Sequence, residues 1–420
     1  MSGEATRARL LSLLSEACEL EHALCCSYLF AAFSIKREIG EGLDWREQQL
    51  ARKWASQIYH IAAQEMLHLA QAWNLLTAVG GTPYYQRPNF PQPARNFPLN
   101  VALSLRRFDV ATLERFIYYE NPSHEAGPLA LREAMPAMSA WPLDETYAYT
   151  SVGQLYGECA RIIEILAPNG LFIGGDDQQI GQSLIDFYDV IAVTDLRTAL
   201  QAIERIMLQG EGLSSGREDS HFGVFNAILC ELKARPDGFD LARKVGDNPY
   251  VHTRPPPIAS ASDYRVQAVG LVMTPIRDPT AMLAADLFDD VYVSMLQALA
   301  HVFSNATRDK DHLRIISRSA LELMITVIKP LGEALCLLPS GKPGVNAGPT
   351  FALNRHAQLP PVATVARRVY AERLQQLADH GHILMENAIA DPIAAGQLAS
   401  AAANLKRIAR AVSGEGPALT

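Results

Sequence analysis

The sequence predicts a mainly α protein built on a four-helix bundle, with long insertions and an additional C-terminal helical region. Three observations predict this fold class. Apolar residues recur at three- and four-residue steps along most of the chain, which is the period of a helix. No strand series or short-period repeat is evident in the sequence. Two Glu-x-x-His motifs, at 65–68 and 218–221, lie in helical patterns, so each places a carboxylate and an imidazole on one helix face.

Composition narrows the class of protein. The 420 residues are 49% hydrophobic, which permits a large core. The formal charge is -8 and no long basic run occurs, so nucleic acid is not an expected partner. The six cysteines form no C-x-x-C pair and lie in apolar helical patterns, as expected in a reducing compartment. Neither a secretory signal nor an apolar stretch of membrane-spanning length is convincing, so we expect a cytoplasmic protein that does not act on a membrane.

The first predicted helix spans about Leu10 to Lys36 and carries Glu21 on its apolar stripe. The second begins after Asp44, where Glu47 completes a capping box, and ends at about Val79 before two glycines. Its stripe contains Glu65 and His68, with apolar residues on either side.

Residues 82–148 are rich in proline and should be mostly loop, with a short helix near Thr112 to Tyr119. So long an insertion between core helices is typical of a lid or a pocket wall. The third bundle helix is predicted at about Ser151 to Leu166, with Glu158 on its stripe. Gln154 and Glu164 are the alternatives for the inward-facing side chain on this helix.

A helix from Asp195 to about Met207 precedes a glycine-rich link, and the fourth bundle helix is predicted from about Arg217 to Lys233 with Glu218 and His221 on one face. We expect the bundle to occupy residues 1–250 and a proline-rich linker to occupy residues 251–280. Residues 281–420 form the C-terminal region, with helices at about 287–303, 311–337 and 362–412. The last of these should break near Gly381.

Four carboxylates on apolar stripes are the strongest indication of function. Burying an unpaired carboxylate costs several kcal/mol, and four together would repel one another unless cations lay between them. A Glu from each of two helices, and a Glu-x-x-His from each of two others, is the ligand set of a two-metal site inside a bundle. The predicted ligands are Glu21, Glu65, His68, Glu158, Glu218 and His221.

Oxygen-rich ligands with one imidazole per metal suit two divalent ions of iron, with manganese as the alternative. His68 and His221 would each bind one metal, Glu65 and Glu218 would bridge, and Glu21 and Glu158 would be terminal. The competing interpretation is chance, because a chain of this length should show about one Glu-x-x-His at random. A third copy, Glu19 to His22, is discounted because both residues lie off the stripe of Glu21.

Several runs resemble the ferritin-like domain of the iminophenylpyruvate dimer synthase family, over roughly residues 10–232. They are ELEHALCCSY at 19–28, QEMLH at 64–68, VTDL at 193–196, QGEG at 209–212 and EDSHF at 218–222. Less specific similarity continues through KPLG at 329–332 and NAGPT at 346–350. The resemblance implies a ferritin-like fold and the same six ligands. Members of that family oxidatively couple two amino-acid-derived imines in bisindole pigment synthesis, and they are much longer chains.

The leading hypothesis is a dinuclear non-haem oxidoreductase that uses dioxygen or peroxide on a small substrate, with amino-acid-derived compounds as the candidate class. The proline-rich insertion and the C-terminal helices would shape the substrate pocket. The alternative is a ferritin-like metal-binding protein without organic turnover, which handles iron or scavenges peroxide. A third hypothesis is a metal-free helical interaction protein. The sequence is compatible with a homo-oligomer and does not identify the substrate or a catalytic side chain.

Overall fold

A computed structural model describes most of the chain, namely residues 4–92, 102–121, 149, 151–210, 218–253, 272–304, 309–353, 358–417 and 419. Helices dominate, as predicted. The first six are α1 Arg7–Ser34, α2 Trp45–Ala78, α3 Val110–Tyr119, α4 Val152–Leu166, α5 Leu196–Gly210 and α6 His221–Lys233. The C-terminal ones are α7 Pro279–Ser304, α8 Lys310–Leu323, α9 Lys329–Leu335, α10 Ala363–Met385 and α11 Pro392–Ser413. A π-helical turn, Met324–Ile328, joins α8 to α9.

Two long antiparallel helices, α1 and α2, form one half of the bundle. At about 1.5 Å per residue, their 28 and 34 residues extend about 42 and 51 Å. The hydroxyl of Thr6 caps α1 by accepting a hydrogen bond from the backbone N–H of Arg9. The predicted capping box of α2 is present, because Asp44 and Glu47 each accept the other's backbone N–H. Buried residues lie on every side of α1, which is therefore the central helix of the fold.

Four shorter helices complete the bundle. Helix α4 packs on α1, α5 packs on both α4 and α2, and α3 pairs with α6. The second half of the bundle thus consists of short helices, whose ends lie beside the middle of α1 and α2. Residues 211–217, between α5 and α6, are outside the described residues, as are residues 122–148 of the insertion. The predicted short helix of the insertion is confirmed as α3.

The C-terminal helices pack on the bundle through contacts of α9 with α1 and of α7 with α2. Buried apolar side chains of both regions form one continuous core. A short parallel pair of strands, β1 Pro249–Val251 and β2 Thr274–Ile276, lies between the two regions. The domain boundaries, including the linker at 251–280, stay a prediction because residues 254–271 are not described. Among the described helices, none is long and apolar enough to cross a bilayer.

The predicted break in the last helical stretch is present, but it lies after Gly381 and not at it. Helix α10 runs through Gly381 to Met385, and the chain turns at residues 386–391, where Asp391 caps α11. A Cβ atom at position 381 would lie 3.2 Å from the Cβ of Ala402 in the neighbouring helix. The glycine therefore permits close packing of α10 on α11 and does not end a helix.

Gly332 packs closely against α1. A Cβ atom there would lie 2.5 Å from the ring of Phe33, which is buried. We expect Gly332→Ala to lower the stability, because overpacking costs about 1–3 kcal/mol while the gain in helix propensity is about 1 kcal/mol. The matched control is Gly396→Ala, at an exposed position of α11 with open space around it, which should stabilise by about 0.5–1 kcal/mol. Thermal melts of the two variants should shift in opposite directions; equal shifts would contradict the close packing.

Candidate metal centre

Glu65 lies at the centre of a buried cluster of ionisable side chains. One carboxylate oxygen, Oε2, lies 3.2 Å from Nδ1 of His68, and the other, Oε1, lies 2.9 Å from Nδ1 of His221. The two imidazole rings face each other with centroids 5.5 Å apart. Each oxygen of one carboxylate is thus directed toward a different imidazole, which is the arrangement of a bridging ligand.

One half of the cluster combines helices α1 and α2. Oε2 of Glu21 lies 3.5 Å from Nδ1 of His68, and Oε1 of Glu21 accepts a hydrogen bond of 2.7 Å from the hydroxyl of Tyr156 on α4. Glu21, Glu65 and His68 have ligand atoms close enough together to hold one metal ion.

The other half repeats this arrangement with different elements. Oε2 of Glu120, the residue that ends α3, lies 3.6 Å from Nδ1 of His221 at the start of α6. The hydroxyl of Tyr28 donates a hydrogen bond to Oε1 of Glu120. Glu65, Glu120 and His221 form the second group that could hold a metal ion.

Two glutamine side chains set the orientation of the imidazoles. Oε1 of Gln209, at the end of α5, lies 3.0 Å from Nε2 of His68, and Oε1 of Gln64 lies 3.2 Å from Nε2 of His221. Because an amide oxygen only accepts, each Nε2 must carry the proton. In the neutral imidazole, the lone pair of Nδ1 then points toward the carboxylates, as it must in order to bind a metal.

Burial gives this cluster unusual proton affinities. The five side chains are all at most 3% exposed. Burial and the charge of Glu65 raise the pKa of Glu21 to about 8, and the same two causes raise the pKa of Glu120. Burial opposes the charged form of His221, but the carboxylates of Glu65 and Glu120 prevail and raise its pKa to about 9. Burial also opposes the charged form of His68, but the carboxylates of Glu21 and Glu65 raise its pKa well above the usual value.

These side chains fit a pair of divalent metal ions. Three buried carboxylates repel one another, and protons on their neighbours partly compensate when no cation is present. Oε1 of Glu65 and Nδ1 of His221 are both buried and lie 2.9 Å apart. A proton on the imidazole compensates the carboxylate there, and a metal ion between the two atoms would take the place of that proton. Carboxylates together with imidazoles are a ligand set that divalent transition metals accept.

The structure brings together four of the six predicted ligands, namely Glu21, Glu65, His68 and His221. It does not bring Glu158 into the cluster. Its carboxylate forms ion pairs with Arg9 at 2.8 Å and Arg161 at 2.7 Å, and its side chain is 21% exposed. The prediction that it faces the interior is wrong, because the residue directed at Glu21 from this helix is Tyr156. The alternatives Gln154 and Glu164 are both exposed.

The inward position predicted for Glu218 is also wrong. Helix α6 begins at His221, because the hydroxyl of Ser220 accepts the backbone N–H of Gly223 and caps it. Glu218 therefore precedes the helix, is exposed, and does not share a face with His221. A Glu-x-x-His spacing places its two side chains on one face only when both residues lie within a helix. In this second motif only His221 does, so the spacing does not bring the two side chains together.

Sequence reasoning missed Glu120. It lies in the proline-rich insertion at the end of a ten-residue helix, so no periodic pattern indicated its direction. The only available signal was an acidic residue directly after the apolar run that ends at Tyr119. The third motif copy is not part of the cluster, as expected. His22 bonds to the hydroxyl of Tyr292 at 2.6 Å, and Glu19 accepts from Tyr84 at 3.1 Å.

Metal affinity should rise with pH between about 6 and 9. Near neutral pH, Glu21 and His221 retain protons because their pKa values are raised to about 8 and about 9, and a metal ion must displace those protons. Raising the pH removes this competition. Calorimetric titration with Mn²⁺ in two buffers of different ionisation enthalpy should show release of protons at pH 7, including those held by Glu21 and His221. Affinity that does not change with pH would contradict the proposed ligands.

The fold and these five side chains define a class, that of helical bundles with an interior carboxylate–histidine cluster. More particularly, the chain belongs to the ferritin-like family, whose model matches residues 14–230. A crystal structure of a ferritin like protein from Caulobacter vibrioides is 20% identical with a TM-score of 0.48, covering 71% of this chain and 88% of that one.

Two curated relatives are similar to nearly the whole chain. Dichlorochromopyrrolate synthase of Lentzea aerocolonigenes is 28% identical over 407 residues, which cover 89% of this chain and 39% of the relative. The 2-imino-3-(indol-3-yl)propanoate dimerase of Chromobacterium violaceum is 26% identical over 416 residues, 91% of this chain and 37% of the relative. These findings confirm the resemblance inferred from the sequence. The chain spans less than two-fifths of the length of either relative.

Proposed function

We propose that this protein is a dinuclear iron oxidoreductase that uses dioxygen or peroxide to oxidise a small, amino-acid-derived imine. The observation that carries the proposal is the two-fold arrangement about Glu65, in which each carboxylate oxygen is directed toward a different histidine. Each half adds one further carboxylate, from Glu21 or from Glu120. Manganese is the alternative metal, and the cytoplasm is the expected location.

Two bound iron ions would supply the capacity to bind the oxidant and to exchange electrons with it. Glu65 would hold both ions, while Glu21 with His68 and Glu120 with His221 would hold one each. Tyr156 and Tyr28 donate hydrogen bonds to the two terminal carboxylates and so fix one oxygen of each. The other oxygen of each terminal carboxylate remains directed at the cluster.

The wall beside the cluster is mostly apolar and keeps water away from it. Besides the ligands, the small space next to the cluster is lined by Leu24, Val152, Gly153, Ile206, Met207 and Gly210. A low-polarity wall suits an aromatic substrate and strengthens electrostatic interactions within the site. The name of one relative, 2-imino-3-(indol-3-yl)propanoate dimerase, indicates coupling of an indole-bearing imine, so an aromatic imine with a carboxylate is the substrate class to test first.

A specific observation favours the second candidate, a metal-binding protein without organic turnover. The space beside the cluster is only about 10 Å³, close to the minimum for one water molecule. An organic substrate would need the ends of α4 and α5, at Gly153 and Gly210, to move apart. Without such movement, no organic substrate fits beside the cluster.

Oxygen consumption by the iron-loaded protein separates the two candidates. The protein would be loaded anaerobically with two Fe²⁺ per chain and then mixed with oxygen, with and without 2-imino-3-(indol-3-yl)propanoate generated in place. We expect sustained oxygen uptake only with the imine, together with a product that has the mass of two substrate molecules less two hydrogens. Glu65→Gln should abolish both. Uptake that ends after one oxidation of the iron, with or without imine, would support the second candidate and refute the proposed turnover.

A further inference from the structure

A large cleft lies on the face of the α1–α2 pair that is opposite to the metal cluster. Its volume is about 1160 Å³, slightly above the range of about 300–1,000 Å³ typical of ligand pockets. Helix α2 forms one wall, and α8, the π-helical turn and the start of α9 form the other. It shares no lining residue with the cluster, since Glu65 faces the two histidines of the cluster and the next residue, Met66, faces the cleft.

The charge of the cleft is opposite to that of the whole chain. Six basic side chains line it against two acidic ones, Asp186 and Glu322, although the chain carries a formal charge of -8. Several of the basic groups are neutralised nearby: Arg37 lies 3.3 Å from Glu333, Arg314 lies 2.9 Å from Asp311, and Arg407 pairs with Glu322. Arg52 and Lys329 also have carboxylate partners, Glu38 at 3.6 Å and Glu333 at 3.8 Å, so the positive excess of the lining is concentrated on Arg318.

Arg318 is the basic group that remains available. Its guanidinium lies 3.4 Å from the carbonyl oxygen of Leu419 and pairs with no carboxylate among the described residues. The preceding residue, Ser317, is 1% exposed, and its hydroxyl has no hydrogen-bond partner in the part of the chain that the structure describes. Both residues line the cleft, so a buried donor and an exposed cation lie side by side there. A buried hydroxyl without a partner is costly unless a ligand satisfies it.

The remainder of the cleft is apolar and adaptable. Leu29 and Phe33 of α1, Met66 of α2 and Met295 of α7 lie along it, and Leu321 lies one turn beyond Ser317. Methionine side chains adapt to ligands of varied shape. Four residues of the π-helical turn also line the cleft, and such turns occur frequently at functional sites.

We propose that this cleft binds a small organic anion with an apolar body, whose anionic group pairs with Arg318 and accepts a hydrogen bond from Ser317. The apolar body lies against Met66 and Leu321. The site is separate from the metal cluster and does not depend on the proposed redox function.

Fluorescence titration with 8-anilinonaphthalene-1-sulfonate tests the proposal, with N-phenyl-1-naphthylamine as the uncharged probe of similar shape. The full chain should bind one sulfonate probe saturably, and about tenfold more tightly than the uncharged one. Arg318→Ala should weaken sulfonate binding about tenfold and leave the uncharged probe unaffected. Ser317→Ala should weaken it about threefold. Arg368→Ala is the matched control, because this exposed arginine on α10 pairs with Glu372 and lies outside the cleft.

A second variant tests the location independently of charge. Ala63 is an exposed residue of α2 on the cleft wall, so Ala63→Trp should obstruct the cleft and weaken both probes without disturbing the core. Glu65→Gln, which alters the metal cluster, should change probe affinity by less than about twofold because the two sites share no residue. Equal affinity for both probes, or sulfonate binding that survives Arg318→Ala and Ala63→Trp, would overturn the proposal.

Discussion

Glu65→Ala is expected to remove both metal ions from the protein. Each oxygen of this carboxylate faces a different histidine, so its loss deprives both metal positions of a ligand at once. Metal measured by plasma mass spectrometry after gel filtration should fall from about two ions per chain to nearly none. No other single substitution in the cluster should have so large an effect, because every other side chain belongs to only one half.

The matched control for this variant is Glu158→Ala. That carboxylate is paired with Arg9 and Arg161 outside the cluster, so its loss should leave metal content unchanged. Circular dichroism should confirm that both variants remain helical. Retention of two metals by folded Glu65→Ala would refute the bridging position of Glu65.

Glu120→Ala is expected to leave a site for one metal ion. Without this carboxylate, the half of the cluster beside His221 has only two protein ligands, whereas the half formed by Glu21, Glu65 and His68 keeps three. Metal content should fall from about two ions to about one per chain. Electron paramagnetic resonance of the Mn²⁺-loaded protein should change from the spectrum of a coupled pair to that of an isolated ion.

Glu21→Ala should give the complementary result, with one ion held by Glu65, Glu120 and His221. The variant that combines Glu21→Ala with Glu120→Ala should bind no metal. The comparison with Glu218→Ala distinguishes the structure from the sequence pattern, since Glu218 is exposed and precedes α6. If Glu218→Ala lost one metal while Glu120→Ala lost none, the ligand set drawn from the sequence would be correct and the one drawn from the structure would be wrong.

Periodicity predicted those parts of the site that lie within long helices. Glu21, Glu65 and His68 lie in the interiors of α1 and α2, where the position of a residue along the helix determines its direction. The capping box of Asp44 and Glu47 predicted the start of α2 correctly, because it depends only on residues close in sequence. The fold class followed from the same local signals.

The wrongly predicted or missed site residues lie at helix ends and in the insertion. There, contacts between segments distant in sequence determine which way a side chain points. Because Ser220 caps α6, that helix begins after Glu218. An ion pair with Arg9, a residue near the N-terminus, holds the carboxylate of Glu158 outside the cluster. Glu120 reaches the cluster only because α3 packs on α6, a contact between segments about a hundred residues apart. Sequence periodicity carries no information on such a contact.

Diffraction at the iron absorption edge, from crystals grown with iron supplied, tests the central claim most directly. We predict two anomalous peaks per chain, one between Glu21, Glu65 and His68 and the other between Glu65, Glu120 and His221. A single peak away from Glu65, or no peak among these five side chains in an iron-loaded crystal, would contradict it.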